Sequence, residues 1–325
     1  MTFEARLTSL LNRAVGQEFS VSALRPPFIP FIPSCSHGMA SSTVDVLRLD
    51  ALHPALSGNK LFKLAGYLAD IEERAGSCLI TPGGVYSNHL HAVAAAGAWL
   101  GIPTVGLVRG YASQALTPTL QDCQHWGMKL VFLDRKTYAC RYDTAWQQQQ
   151  ANAHQAVWVG EGGAGSEAFY GGRYLAQYCD GYDEVWLAVG SGTTASMLQP
   201  FLSAQTRLVG VNVVADQGKQ QRLWEQSFPA ETWTLIETAS WGRFGHLNDV
   251  GRALIQQADQ AGLPLDPVYG VRLLRAFLEH GPTVPEARCL LIHGGGLQGR
   301  RGYGLDWPLV GHHEPAFDFP PTVGT

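Results

Sequence analysis

The chain has 325 residues, of which 46% are hydrophobic and 15% are charged. This length favours two lobes over one compact core, and the composition is typical of a folded globular protein and excludes a disordered one. The formal net charge of -4 gives no electrostatic basis for binding nucleic acid or a membrane surface, and no apolar run approaches the roughly 20 residues of a membrane span. We therefore expect neither nucleic acid nor a membrane as a partner.

The N-terminal segment, residues 1–19, carries acidic residues and has no uninterrupted apolar core, so it is predicted to be a helix and not a signal peptide. The cysteines are too far apart for a CxxC motif, which predicts buried free thiols in a reducing cytosol. They lie at positions 35, 78, 123, 140, 179 and 289. The pairs His89/His91 and His312/His313 do not place two ligands on one helix face, so no metal site is predicted.

The stretch Ser57-Gly58-Asn59-Lys60-Leu61-Phe62-Lys63-Leu64 is the first that suggests chemistry. The chain has five lysines, at positions 60, 63, 129, 136 and 219, and two of them follow this Gly-Asn turn at the start of a helix-like segment. A lysine that is held rigidly and partly removed from water has a lowered pKa, so its amine can form a Schiff base with a carbonyl. The alternative is a surface helix that begins with two solvated lysines, because so short a motif is weak by itself.

From about residue 77 onwards, short β-rich runs alternate with segments of helical period. The predicted strands are 78–81, 104–108, 130–133, 156–159, 184–189 and 208–214, and the predicted helices are 87–100, 117–126, 141–154, 167–179 and 194–202. Such alternation predicts parallel sheets with helices on both faces, an α/β fold.

Glycine-rich turns follow several of the predicted strands, where ligands bind in open parallel sheets. They are Pro82-Gly83-Gly84, Glu161-Gly162-Gly163, Gly190-Ser191-Gly192 and His293-Gly294-Gly295-Gly296. A single turn of this kind is often only a tight connection. Four of them predict one crevice lined by backbone amides.

The turn Gly83-Gly84-Val85-Tyr86-Ser87-Asn88-His89 leads into an apolar helix. Ser87 is well placed to cap that helix, which is the structural explanation of the motif. Asn88 and His89 lie in the first helical turn, where they are predicted to face a ligand in the crevice.

The turn Gly190-Ser191-Gly192-Thr193-Thr194-Ala195 joins a strand to a helix N-terminus, a geometry that suits an anion. Its small residues allow close approach, and three hydroxyls add donors for a phosphate. With Asp216 about 20 residues further on, it also fits the fingerprint of a dinucleotide site. Phosphate binding, nicotinamide binding and a purely structural turn all remain open for this loop.

These motifs, taken in order and followed by Asp266-Pro267-Val268-Tyr269, resemble those of the pyridoxal-phosphate enzymes of fold type II. The chain is most similar to the 1-aminocyclopropane-1-carboxylate (ACC) deaminase / D-cysteine desulfhydrase family, from about Phe28 to Gly304. The resemblance implies a two-domain, tryptophan synthase beta-like α/β fold. It implies a larger cofactor-binding domain, residues 1–63 and 161–325, and a smaller inserted α/β domain, residues 64–160. It also implies a cytoplasmic homodimer.

The resemblance assigns the cofactor, pyridoxal 5'-phosphate, to a defined set of residues. Lys60, preceded by Asn59, forms the Schiff base, and Lys63 is a helper at most. Asn88 lies by the ring hydroxyl. The phosphate lies among Gly190, Ser191, Gly192, Thr193 and Thr194.

The substrate side follows the same resemblance but departs from the family at two places. Ser87, Asn88 and His89 are implied to contact the substrate, and Tyr269 is implied to be a catalytic tyrosine together with Ser87. After this tyrosine the family has glutamate or threonine and then Gly-Lys, whereas this chain has Gly270-Val271-Arg272. Where the family has a second tyrosine, this chain has Phe244. The sequence therefore predicts that the cofactor site is kept and that two polar groups near the substrate or the cofactor ring are lost.

We therefore expect a pyridoxal-phosphate-dependent lyase or deaminase that acts on a small amino acid. Lys60 removes the α-proton, and loss of a β-substituent yields a 2-oxo acid and ammonia, while the cofactor ring acts as the electron sink. One alternative is a nicotinamide-dependent oxidoreductase that uses residues 190–195 and Asp216, although it leaves the motifs around Lys60 and Ser87 unexplained. The other is a non-catalytic binder of cofactor or amino acid, which the departures at Phe244 and Gly270 permit.

Overall fold

The structure, a computed structural model, describes residues 8, 11, 15–20, 43–53, 55, 56, 58–73 and 78–307. These residues form two β-sheets. The strands are β1 (Val15–Ser20), β2 (Thr43–Arg48), β3 (Cys78–Gly84), β4 (Thr104–Arg109), β5 (Lys129–Leu133), β6 (Ala156–Trp158), β7 (Glu184–Val189), β8 (Arg207–Asn212), β9 (Trp233–Glu237) and β10 (Cys289–His293).

The larger sheet has six strands in the order β1-β2-β10-β7-β8-β9, and the smaller has four in the order β5-β4-β3-β6. All neighbouring strands are parallel except β1, which pairs antiparallel with β2 and forms an edge. The smaller sheet takes all its strands from residues 78–158, whereas the larger sheet takes strands from both sides of that segment.

Helices connect the strands. They are α1 (Asn59–Glu73), α2 (Asn88–Leu100), α3 (Pro118–His125), α4 (Arg135–Ala139), α5 (Thr144–Ala153), α6 (Ala168–Gln177), α7 (Thr193–Leu198), α8 (Lys219–Ser227), α9 (Asp249–Gln260) and α10 (Gly270–His280). In the part of the chain described here, no helix has the length and apolar character that a membrane span requires.

The core shows why the central strands are apolar along their whole length. Along β7, Val185, Leu187 and Val189 pack into one cluster with residues of α1, α6 and α7. Trp186 points to the opposite face, where it packs with residues of α9 and α10 and meets Phe277 edge-to-face at 5.2 Å between ring centroids. A strand of a parallel sheet with helices on both faces must be apolar at every position, because successive side chains point to opposite faces.

The predicted alternation of strands and helices is confirmed, with most boundaries shifted by one to three residues. Two predictions are wrong. The predicted N-terminal helix does not extend to residue 19, because residues 15–20 form β1, which completes its hydrogen bonds on the edge of β2; most of residues 1–14 lie outside the described part. The thiol of Cys140 is exposed, whereas Cys78, Cys123, Cys179 and Cys289 are buried and Cys35 lies outside the described residues.

Candidate active site

Lys60 lies in the first turn of α1, and Gly58 determines where that helix begins. Gly58 has a φ of 80°, and a Cβ at this position would collide with the carbonyl oxygen of Gly294. The next residue, Asn59, donates its backbone N–H to the same oxygen at 3.1 Å. Glycine is required here both for the left-handed backbone and for the close approach, so the start of α1 is fixed against the end of β10. Ser57, the first residue of the motif, lies outside the described residues.

Asn59 connects the lysine to the 190–194 loop. Lys60 Nζ donates a hydrogen bond to Asn59 Oδ1 at 2.9 Å, and Asn59 Nδ2 donates to Thr194 Oγ1 at 3.0 Å. Residues that are 135 positions apart in sequence are therefore joined directly. Lysine and loop belong to one site.

The amine of Lys60 lies in an environment that favours its uncharged form. Burial lowers the pKa of Lys60 to about 8, against the opposing effects of the Asp266 carboxylate and of a hydrogen bond with Lys63. Because a charged amine loses its hydration when it is buried, the pKa falls. The share of Lys60 that is a free, nucleophilic amine near neutral pH is therefore far larger than for an ordinary lysine.

The 190–194 loop leaves β7 and enters α7. Ser191 Oγ and Thr193 Oγ1 lie 2.9 Å apart, and no described residue accepts a hydrogen bond from the backbone N–H of Ser191, Gly192 or Thr193. Gln220 donates to the carbonyl oxygen of Gly190 at 3.3 Å. The helix is shorter than predicted: α7 ends at Leu198, and a 3-10 turn follows. Hydroxyls and unpaired amides of this kind suit the oxygens of a phosphate.

The structure confirms the structural explanation of the 83–89 turn, whereas a ligand contact at this turn stays a prediction. Ser87 caps α2, because its Oγ accepts the backbone N–H groups of His89 and Leu90, each at 3.2 Å. Asn88 is held from the other side by Gln298, whose Nε2 donates to Asn88 Oδ1 at 2.7 Å. The amide of Asn88 also rests against Gly296, in the turn that follows β10.

His89 is more deeply placed than the sequence predicts. Its side chain is buried, and its Nε2 lies 2.8 Å from the hydroxyl of Thr81. Because that hydroxyl donates to the carbonyl oxygen of Val159, Nε2 carries the hydrogen, and Nδ1 is left as a buried acceptor without a partner. Burial lowers the pKa of His89, so the imidazole is neutral.

Tyr269 and Phe244 form one wall of the candidate site, next to Gly190. The ring of Tyr269 rests against Gly190, where an added Cβ would lie 3.0 Å from Cε1, and it meets the ring of Phe244 edge-to-face at 6.0 Å. Burial and the charges of Asp266 and Glu161 raise the pKa of Tyr269, so its hydroxyl stays protonated. The side chain of Phe244 is half exposed and makes this part of the candidate site apolar.

Two residues behind this wall were not recognised as site residues from the sequence. Asp266 is buried, and its carboxylate accepts the backbone N–H groups of Val268, Tyr269 and Gly270. Its Oδ2 lies 2.9 Å from the point where a Cβ on Gly270 would be. A carboxylate is therefore present beside position 270 although residue 270 itself supplies none. The sequence signal for this carboxylate was the pair Asp266-Pro267 ahead of a helix, since aspartate often caps helices.

Arg272 is the second such residue. It is buried and donates to the backbone oxygens of Thr238, Gly242 and Arg243, at 2.9 to 3.2 Å. It thereby ties α10 to the loop that carries Phe244. Asp216, in contrast, binds Asn212 and the backbone N–H of Gln220, both within its own connection, as a structural residue would.

Comparison with known proteins identifies similar enzymes. A D-cysteine desulfhydrase of Klebsiella pneumoniae (strain 342) is 26% identical over 302 residues, which cover 83% of this chain and 92% of the relative. A putative ACC deaminase of Thermotoga maritima is 26% identical over 304 residues, covering 85% and 96%. The chain is similar to D-cysteine desulfhydrases and ACC deaminases. The resemblance inferred from the ordered motifs is confirmed. No family model matches the chain.

Solved structures confirm the predicted fold class. An ACC deaminase homologue superimposes with a TM-score of 0.67 at 23% identity and covers 94% of this chain and 98% of its own. A pyridoxal 5'-phosphate-dependent aspartate racemase superimposes with a TM-score of 0.58 at 14% identity, covering 90% and 94%. These relatives do not support the nicotinamide alternative.

Proposed function

We propose that the protein is a pyridoxal-phosphate-dependent deaminating lyase that acts on a small amino acid, with Lys60 as the residue that holds the cofactor. The observation that carries this proposal is the chain of hydrogen bonds from Lys60 through Asn59 to Thr194. It links a free amine to a loop of unpaired backbone N–H groups and hydroxyls. An aldehyde that carries a phosphate can react with the amine of Lys60 and place its phosphate at the 190–194 loop.

The bound cofactor would supply an aldehyde carbon for the amine and a ring that withdraws electrons from the α-carbon of the substrate. Around it, Asn59 orients Lys60. The phosphate is held by Gly190, Ser191, Gly192, Thr193 and Thr194. Asn88, fixed by Gln298, binds the ring hydroxyl.

The substrate lies between α2 and the wall formed by Tyr269 and Phe244. Ser87 and Asn88 contact it from the first turn of α2, whereas the imidazole of His89 is buried against Thr81 and does not serve as the predicted substrate contact. Lys60, once released as a free amine, takes the α-proton at Nζ, and the protonated hydroxyl of Tyr269 is a hydrogen-bond donor to the departing group. The expected products of β-elimination are a 2-oxo acid and ammonia.

The larger domain comprises residues 1–63 and 161–325, and the smaller comprises residues 64–160, with the site at the carboxyl ends of both sheets. We further propose a cytoplasmic homodimer. Size-exclusion chromatography with light scattering tests the dimer directly.

The decisive experiment adds pyridoxal phosphate to the purified protein and records the near-visible absorbance band of the lysine-bound cofactor. Lys60→Ala should abolish the band and leave the fold intact, as judged by circular dichroism, whereas Lys136→Ala, a change at an exposed lysine, should keep it. Borohydride reduction and peptide mapping should place the label on Lys60. A label on Lys63, Lys129, Lys136 or Lys219 would contradict the assignment.

A non-catalytic binder is the second candidate, because Phe244 lacks the hydroxyl of the family's second tyrosine. A binder would show a shift of the absorbance band with an amino acid but release no 2-oxo acid. Release of 2-oxo acid excludes it.

A further inference from the structure

Two large aromatic side chains next to the candidate active site are half exposed to solvent. Tyr86 of the 83–89 turn is 51% exposed, and Phe244 of the loop that follows β9 is 50% exposed. Single exposed apolar side chains are common on protein surfaces and need no explanation. These two differ from such side chains because the structure connects both of them to each other and to the wall of the candidate site.

The 3-10 segment that follows β10 connects the two rings. The ring of Tyr86 lies over Gly302, because a Cβ at Gly302 would come within 2.8 Å of Tyr86 Cε1. The next residue, Tyr303, donates its hydroxyl to the carbonyl oxygen of Gly245 at 2.6 Å. Gly245 directly follows Phe244. We call Tyr86, Tyr303 and Phe244 the aromatic rim.

The backbone around Phe244 is anchored although the side chain is not covered. Arg272, which is buried, donates to the carbonyl oxygens of Gly242 and Arg243, each at 2.9 Å. The carbonyl oxygen of Gly245, on the other side of Phe244, accepts the tyrosine hydroxyl described above. The exposed ring is therefore held in place before any ligand binds, which lowers the entropic cost of binding one.

The aromatic rim continues into the candidate site. The ring of Phe244 meets that of Tyr269 edge-to-face with 6.0 Å between the centroids, and Tyr269 rests against Gly190 of the 190–194 loop. Tyr86 directly precedes Ser87, which caps α2 and is proposed to contact the substrate. A substrate held between α2 and Tyr269 would therefore have the aromatic rim within reach of its side chain.

We propose that the aromatic rim binds an apolar, aromatic group on the β-carbon of the substrate, so that the amino acids favoured by this site are S-arylalkyl cysteines such as S-benzyl-cysteine. Phe244 has no hydrogen-bonding group, and the hydroxyl hydrogen of Tyr303 is already donated to Gly245. Burying the exposed ring surface against an apolar group is favourable, and aromatic rings pack well against one another. The inference rests on the proposed function and deepens it by naming the class of substrate.

The reaction expected of S-benzyl-cysteine uses only water as a further reactant. The α-proton passes to Lys60 Nζ, the Cβ–S bond breaks, and the sulfur leaves with the bonding electron pair and takes up a proton to give benzyl thiol. The remaining aminoacrylate takes up water and releases ammonia, which leaves pyruvate. S-methyl-cysteine undergoes the same bond changes without the ring, so it is the matched comparison.

The first measurement is of binding alone, in the cofactor-loaded protein. In 2-amino-5-phenylpentanoate and 2-aminopentanoate a methylene replaces the sulfur of the two cysteine derivatives, so no group can leave. Isothermal titration calorimetry with each enantiomer gives the two dissociation constants. In one enantiomer the phenyl compound should bind about tenfold more tightly or better, the lower end of the range for an added apolar group in a hydrophobic pocket.

Variants of the aromatic rim show whether it causes this preference. Phe244→Ala and Tyr86→Ala should each reduce the preference about threefold or more, as expected for the loss of one aromatic contact. Phe244→Tyr keeps the ring and should keep the preference. Val284→Ala is the control, because Val284 is 54% exposed and its N–H binds Glu184, at the opposite end of β7 from the 190–194 loop.

The second measurement is the release of 2-oxo acid. The ratio kcat/KM for S-benzyl-cysteine should exceed that for S-methyl-cysteine about tenfold or more, and the two alanine variants of the aromatic rim should reduce this advantage. Equal affinities for the two pentanoates, or a preference that survives both alanine variants, would overturn the proposal. It would also be overturned if these variants changed the oligomeric state in light scattering and left the preference intact, since a second copy of the chain would then cover the aromatic rim.

Failure of the proposed function would look different. In that case added pyridoxal phosphate would give no near-visible band, or neither cysteine derivative would release 2-oxo acid, while the calorimetric preference for the phenyl compound would remain. If the band forms and both derivatives react equally well, the proposed function stands and the inference about the aromatic rim fails.

Discussion

The cofactor half and the substrate half of the candidate site are built in different ways. The cofactor half joins residues that all belong to the recognised motifs, through short hydrogen bonds between Lys60, Asn59 and Thr194. The substrate half depends on Asp266 and Arg272, which hold α10 and the loop of Phe244 from behind. This difference agrees with the prediction from the sequence that the cofactor motifs are kept while the residues at positions 244 and 270 depart from the family pattern.

The largest expected effect concerns the choice of substrate. Opening a cyclopropane ring requires well-placed acids and bases, and the phenol at position 244 is absent, whereas elimination of a good leaving group needs less help. A general acid or base contributes about 100-fold or more, so one enantiomer of cysteine or β-chloroalanine should give 2-oxo acid at least that much faster than ACC. The three compounds are assayed in parallel. Turnover of ACC at a rate equal to or above the others would contradict this prediction.

The next effect concerns the support of the substrate half. Asp266→Ala leaves three backbone N–H groups at the start of α10 without an acceptor, one of them buried and two partly buried, and should lower the free energy of unfolding by about 2–3 kcal/mol. Urea denaturation measures the loss. Asp134→Ala removes a cap from the exposed helix α4, where water can replace it, and should cost less. Equal losses would show that burial of Asp266 has no special importance.

The cofactor half should respond in its affinity for pyridoxal phosphate. Thr194→Ala removes a hydroxyl next to the proposed phosphate position and should weaken binding of pyridoxal phosphate by about 1–3 kcal/mol, the usual range for a charge-assisted hydrogen bond. Equilibrium dialysis gives the dissociation constant. Ser203→Ala, at an exposed serine, serves as the control. If Thr194→Ala together with Ser191→Ala leaves the affinity unchanged, the loop is a structural turn.

The smallest effect concerns the ring pair. Phe244→Ala removes the edge-to-face contact with Tyr269 and should lower the free energy of unfolding by about 0.5–1.5 kcal/mol. Phe244→Tyr keeps the contact and should stay within about 0.5 kcal/mol of the unchanged protein. Thermal or urea unfolding of both variants is the measurement. A large loss in Phe244→Tyr would mean that the ring edge is packed and not open to the site.

The sequence by itself determined the fold class and the alternation of strands and helices between residues 78 and 214, because these depend on local patterns. The apolar run of β7, the glycine turn after it and the Ser87 cap are each contained in a few consecutive residues. The ordered motifs also predicted the similarity to D-cysteine desulfhydrases and ACC deaminases. The roles of the individual site residues stay predictions.

Only the tertiary structure decided which groups meet. The bond between Asn59 and Thr194, the carboxylate of Asp266 beside position 270 and the burial of Lys63 under Gly163 all join segments that are distant in sequence. The edge strand β1 was missed for the same reason, since its partner lies in another part of the chain. Whether a lysine is charged depends on the water and the carboxylates around it, and these are set by packing and not by neighbouring residues in the sequence.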